Sequence, residues 1–205
     1  MSTPTDQSVL HQLCQLVDWH QPTLWYAVAC ILFNPLFWNI AARQEYRHHW
    51  ITKLACGNAY VGCYMLAITI FSLGIFRDAV YNLALDHQPT AAFLAYGEIK
   101  IVAAALWAVG MLLVLTSTYQ LGITGTYLGD YFGILMNAKV TKFPFNATNN
   151  PMYQGSTLAF LGVALWKESV AGLILSVLVF VVYSIALHFE EPFTNMIYAK
   201  REKSS

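Results

Sequence analysis

Two adjacent carboxylates, Glu190 and Glu191, end the apolar run in "YSIALHFEEPFTNM" and are followed at once by Pro192. Carboxylates after an oily helix ordinarily mark a membrane interface. Here the basic tail starts only at Lys200, and Pro192 fixes the chain leaving the pair. Beside Phe189, Phe193 and Tyr198, such acids could instead hold a cationic ligand. Asp130 stands between Tyr127 and Tyr131, a place for a partly desolvated carboxylate as well as for a helix cap. In "NNPMYQG", Asn149 to Gly155, Pro151 suits a first helical turn with Asn150 or Asn149 as cap. A helix amino terminus at a membrane surface also attracts a carboxylate or a phosphate. Glu190, Glu191, Asp130, Tyr153 and His188 are therefore the candidate proton acceptors.

The elements that must position these groups are apolar. Of 205 residues, 57% are hydrophobic and only 11% charged, against roughly 25% charged in a soluble protein. That balance predicts an all-α, polytopic membrane bundle of four or five helices in a single domain, 1–205. With zero formal charge there is no basic field for nucleic acid. Cys14, Cys30, Cys56 and Cys63 form no CxxC pair, so neither disulfides nor a metal site is expected. Residues 1–22 contain no Lys or Arg and do not read as a secretory signal.

Apolar segments run over about 23–42, 54–76, 99–121, 155–165 and 170–189. The first contains Asn34 and Pro35, which should kink or break it, and a shallow re-entrant segment is the other reading. The stretch from Gly155 to Phe189 would be on the order of 50 Å as one helix, too long for a ~30 Å hydrocarbon core. "WKES", Trp166 to Ser169, is its charged patch, so the last two segments are read as a helical hairpin. A single kinked helix is the alternative. Arg43, Arg47 and Lys53 precede the second segment, Lys139 and Lys142 follow the third, and Lys200, Arg201 and Lys203 lie in the tail. Basic loops alternate with poor ones, which puts the 43–53 loop, the 122–154 loop and the tail in the cytosol. The loop 122–154 is long and aromatic, as packed functional loops are. Its Gly122, Gly125, Gly129 and Gly133 permit positive φ, tight packing or close approach to a ligand.

Four colinear stretches resemble the phospholipid N-methyltransferase family: "FNPLFWNIAARQEY", "LGITGTYLGDYFGILM", "FPFNATNNPMYQGST" and "EEPFTNMIY". The wording is most similar to the family's fungal members that perform the last two methylations toward phosphatidylcholine. The resemblance implies S-adenosylmethionine as methyl donor, a phospholipid acceptor in the bilayer, and a multi-pass protein of the endoplasmic reticulum membrane, with mitochondrial membrane as a second location. Of the family's two cofactor motifs, the Glu-Glu pair matches at Glu190 and Glu191. The GxG is read at Ala108, Val109 and Gly110, with alanine in the first glycine's place. The Pro-x-Tyr-x-Gly element, Pro151, Tyr153 and Gly155, also resembles the isoprenylcysteine carboxyl methyltransferases, whose cofactor pocket is walled by a helical hairpin.

The resemblance thus assigns Val109, Gly110, Tyr153, Glu190 and Glu191 to the cofactor, and Asp130, Tyr153 and Glu190 to catalysis. Tyr131 and Asn150 fall to the lipid substrate, with Tyr131 steadying the methylated ammonium. Methyl transfer from a sulfonium to an amine needs positioning and loss of one proton from the alkylammonium. Two other functions stay open at this point: a methyltransferase for a prenylated cysteine carboxylate, and a non-enzymatic membrane scaffold. The hairpin carries a spatial prediction, because it returns Glu190 and Glu191 to the end of the bundle that holds Asp130 and Tyr153.

Overall fold

The structure, a computed structural model, describes residues 16–204 except 139. Expectations that rest on Cys14, Lys139, the first 15 residues or the side chain of Lys203 lie outside the described residues. The first long helix, α1 (Pro22–His48), opens with proline at its amino terminus, where a missing N–H costs nothing. It runs through Pro35 without the break that was one of the two outcomes expected there. Asn34 is buried and its Nδ2 donates to the Leu73 carbonyl 3.2 Å away, so the polar side chain is satisfied by a neighbouring helix.

His49, at φ 52, ends α1 and leads into the five-residue α2 (Trp50–Leu54). The fully buried Glu45 carboxylate accepts from the Ile51 amide at 2.7 Å and from the Thr52 hydroxyl. A negative group at the amino end of a helix is favoured electrostatically, which explains this buried acid. Asn58 caps α3 (Ala59–Asp86) by accepting from the Val61 amide. The next helix, α4 (Gly97–Thr126), is interrupted at Gly122 by φ 65, a conformation suited to glycine. A 3-10 turn over Gly129–Phe132 follows, closed by Gly133 at φ 78. Of the four loop glycines, Gly122 and Gly133 thus supply positive φ, while a Cβ on Gly129 would meet the Thr124 carbonyl oxygen at 2.7 Å.

The last two helices, α5 (Pro151–Trp166) and α6 (Val170–Ser204), form the antiparallel hairpin. Ala164 packs on Gly172, Tyr153 on Tyr183, and Asn150 bonds Glu191, pairing the arms from turn to mouth. Glu168, at φ 55, makes the turn and pairs with Lys100 at 2.7 Å. One expectation is corrected: α6 does not stop at Phe189 but continues through Glu190, Glu191 and Pro192. Arg43 donates to the Phe189 carbonyl at 2.8 Å, beside the carbonyl of His188 that Pro192 deprives of its amide. Polar partners at such a position let a proline stay inside a membrane helix.

Helices α4 and α5 lie tightly together because both carry glycine at the crossing. A Cβ on Gly110 would fall 2.5 Å from the Gly155 carbonyl oxygen, and one on Gly162 would fall 2.7 Å from that of Ala103. The core joins Leu24, Ile31, Tyr81, Phe160, Leu175 and Val179 from four different helices. Large apolar side chains such as Ile68, Phe71, Ile101 and Val177 face outward. Four stretches are long and apolar enough to cross a membrane: Pro22–His48, Ala59–Asp86, Gly97–Phe132 and Val170–Arg201. The chain is an all-helical membrane protein, with α5 too short to count among those spans.

Candidate active site

Glu190 is buried in the bundle and carries three donors. Its Oε1 accepts from Trp38 Nε1 at 2.6 Å and Asn39 Nδ2 at 2.8 Å, and its Oε2 from the Tyr153 hydroxyl at 2.5 Å. Hydrogen bonds to a charged acceptor are the stronger kind, so the carboxylate is held in one orientation by α1 and α5 together. One helical turn further along α6, Thr194 donates to Asp130 Oδ2 at 2.9 Å. Asn150, although it stands at the cap position of α5, makes no side-chain cap; its Nδ2 donates to Glu191 Oε1 at 2.9 Å instead. The hairpin therefore unites Asp130, Tyr153, Glu190 and Asn150 at one end of the bundle.

These four residues line a cavity of about 670 Å³, within the roughly 300–1,000 Å³ of small-molecule sites. Its flanks are apolar, with Ile70, Phe71 and Ile75 from α3 and Met111, Val114 and Leu115 from α4. α4 packs along α5 and only lightly against α3, and the lining residues Phe71, Ile75 and Leu115 are exposed on the apolar outside of the bundle. Trp38, Tyr153 and Tyr183 supply aromatic surface, with ring centroids 4.9–6.5 Å apart. Thr126 Oγ1 on the wall is buried without a partner.

The deeper end of the cavity holds charge that the sequence reading left outside the membrane. Arg77 and Asp78 lie within α3, about two and a half turns before its end at Asp86. Arg77 Nε and Nη2 each lie 2.9 Å from Asp78 Oδ1, and Nη1 donates to the Tyr183 hydroxyl at 2.5 Å. Its guanidinium also covers the Phe160 ring at 4.9 Å.

Five of the sequence candidates fall elsewhere. Gly110 faces Gly155 across the α4–α5 crossing, and Val109 is on the exposed outer face, so neither lines the cavity. Tyr131 is buried, stacked on Phe193 at 5.0 Å and 5°, with Arg43 also lying over Phe193 at 4.9 Å. Its ring is covered and cannot face a lipid ammonium. Glu191 is exposed at the hairpin mouth and bonded to Asn150 without lining the cavity. His188 sits on the outside of α6 among Phe180, Val181 and Ile185. Trp38, Asn39, Arg77, Asp78, Tyr183 and Thr194 are the site residues that sequence reasoning missed. Their signal was polar or indole groups recurring on otherwise apolar helices, visible for Arg77 and Asp78 once α3 is extended past Phe76.

The chain is 57% identical over 198 residues to the phosphatidyl-N-methylethanolamine N-methyltransferase of Saccharomyces cerevisiae, covering 97% of this chain and 96% of that one. It is 58% identical to the protein of the same name from Emericella nidulans, with 93% of each chain covered. The human phosphatidylethanolamine N-methyltransferase is 43% identical, over 95% of this chain and 97% of its own. No solved structure matches. The family described as phospholipid methyltransferase matches residues 99–201, from the first turn of α4 through the hairpin to residue 201 of α6. On these grounds the chain belongs to the phospholipid methyltransferase family.

Proposed function

We propose that this protein transfers methyl groups from S-adenosylmethionine to phosphatidyl-N-methylethanolamine and phosphatidyl-N,N-dimethylethanolamine, giving phosphatidylcholine, in the endoplasmic reticulum membrane. What carries the reading is the near full-length identity to enzymes named for that acceptor, together with a cavity that is acidic at one end and open toward lipid. Residues 1–205 act in it as one domain, as the shared core of α1, α3, α5 and α6 supports. The 43–53 and 122–154 loops and the tail face the cytosol. Contacts such as Tyr46 with Lys200 and Tyr131 with Phe193, which gather these segments at one end, support that arrangement.

The residues present fit a cationic methyl donor. Carboxylates at Glu190 and Asp130, aromatic faces at Trp38, Tyr153 and Tyr183, and the unpartnered Thr126 hydroxyl converge on one cavity of suitable size. S-adenosylmethionine, when bound, supplies an electrophilic methyl group on a sulfonium. Glu190, with its three donors in place, would hold the positive charge, and Tyr153 would keep that carboxylate aimed. Glu191 and Asn150 would close the hairpin mouth over the ligand. Among the four site carboxyl and hydroxyl candidates, Asp130 is the one lining the cavity whose side-chain donor is a single hydroxyl, Thr194. It is therefore assigned the proton of the incoming alkylammonium. Burial at a low-dielectric interface helps, since it disfavours the charged amine.

An acidic site suits a cationic acceptor better than a carboxylate, which separates this reading from a prenylcysteine methyltransferase. The test is a radiolabelled methyl assay on the purified protein, with phosphatidylethanolamine and its mono- and dimethyl derivatives offered separately. Transfer to the two methylated lipids is expected; transfer to none, or to phosphatidylethanolamine alone, overturns the assignment.

A further inference from the structure

An ion pair inside a membrane-spanning helix is costly and ordinarily faces a pathway or a ligand. Arg77 and Asp78 face the cavity, the Arg77 side chain 11% exposed and that of Asp78 54%. A guanidinium has five N–H donors. The edge formed by Nε and Nη2 is taken by Asp78, and one Nη1 proton goes to Tyr183. Two of the five N–H groups remain, one on each Nη. The Tyr183 hydroxyl, which accepts from Arg77, retains its own proton to donate. Phe160 under the guanidinium plane holds the group in place.

The remaining guanidinium donors and the neighbouring hydroxyl line one cavity wall and suit an oxyanion, and a planar guanidinium matches phosphate geometry. We propose that Arg77, oriented by Asp78 and assisted by Tyr183, binds the phosphodiester of the lipid acceptor. The proposal rests on the phospholipid methyltransferase reading and names the residues that fix the headgroup. Its geometry follows from the helix: Tyr183 and Glu190 are seven residues apart on α6, about 10 Å along the axis. In an ethanolamine headgroup four bonds join phosphorus to nitrogen, about 5 Å when extended at ~1.5 Å per bond. A phosphate at Arg77 therefore sends the amine toward the acidic end of the cavity, where Glu190 and Asp130 lie. The acyl chains leave between the apolar flanks of α3 and α4.

The test compares two acceptors in mixed micelles: phosphatidyl-N-methylethanolamine, and a diacylglycerol ether of N-methylaminoethanol that lacks the phosphodiester. Wild-type protein is expected to prefer the phosphodiester lipid by on the order of 10–100-fold in kcat/KM, the range of hydrogen bonds to a charged group. Arg77→Met is expected to abolish that preference by raising KM for the phosphodiester lipid, with S-adenosylmethionine affinity within about twofold of wild type. A preference retained in Arg77→Met, or equal use of both lipids by the wild type, overturns the proposal. If Arg77→Met does not fold, Tyr183→Phe decides: it keeps the Arg77–Asp78 pair and should reduce the preference by about threefold to tenfold, while an unchanged preference refutes the assignment. Wild type that methylates neither lipid would defeat the methyltransferase reading itself, a separate outcome.

Discussion

The Tyr153 hydroxyl of α5 lies 2.5 Å from Glu190 Oε2 of α6, so the two arms of the hairpin meet on the carboxylate that the cavity presents. All three of that carboxylate's side-chain partners are donors. Glu190→Gln keeps a carbonyl oxygen for Trp38 and Asn39 and an amide that can donate to the Tyr153 hydroxyl, but it removes the negative charge. We expect cofactor affinity to fall about 10–100-fold, as for a lost hydrogen bond to a charged group. Tyr153→Phe removes one donor only and should cost about tenfold or less. Equilibrium binding of S-adenosylmethionine in detergent reads both, and wild-type affinity in Glu190→Gln would remove the residue from the cofactor site.

Asp130→Asn should separate chemistry from binding. General-base contributions are typically 10²–10⁴-fold, so kcat is expected to drop in roughly that range while cofactor affinity stays near wild type. Thr194→Val leaves the carboxylate without its hydroxyl donor and should lower kcat less. Equal losses of cofactor affinity and kcat in Asp130→Asn would show a structural role.

The glycine at 110 is expected to matter for packing alone. Gly110→Ala puts a methyl 2.5 Å from the Gly155 carbonyl oxygen and 2.8 Å from the Ala159 amide nitrogen, backbone atoms that cannot turn aside. Overpacking of this kind costs about 1–3 kcal/mol, visible as a lower unfolding temperature in detergent. Ala108→Gly, which restores the family's first glycine on an exposed face, should leave cofactor affinity unchanged. A tighter-binding Ala108→Gly protein would return the GxG to the cofactor.

Orientation can be read from thiol labelling. Cys56 is exposed near the basic end of the bundle, whereas His87 follows α3 at the opposite end. In a protein otherwise free of cysteine, an impermeant maleimide should reach Cys56 in intact microsomes, and a cysteine placed at His87 only after permeabilisation. Asn146, in the glycosylation sequon Asn146-Ala147-Thr148 of the segment placed in the cytosol, should remain unmodified. Labelling in the reverse order would invert the topology.

The helical class and the hairpin were legible because hydropathy and the spacing of "WKES" follow from bilayer thickness, a constraint local to the sequence. The far end of α3 was not, since the apolar run stops at Phe76 while the helix goes on to Asp86 with Arg77 turned inward. Hydropathy sees the charge but not the cavity that accommodates it. The continuation of α6 past Pro192 was hidden for a similar reason: it depends on Arg43, nearly 150 positions away. Tyr131 was misplaced because an aromatic beside a carboxylate reads alike whether its face is open or, as here, covered by Phe193.

The partners of Glu190 come from α1 and α5, and Glu190 itself lies on α6, which follows both in the chain. A nascent chain halted before α6 would leave Trp38, Asn39 and Tyr153 as donors around an empty centre. The Glu190 cluster is therefore closed only when α6 joins helices made before it, so its assembly reports on the insertion of α6.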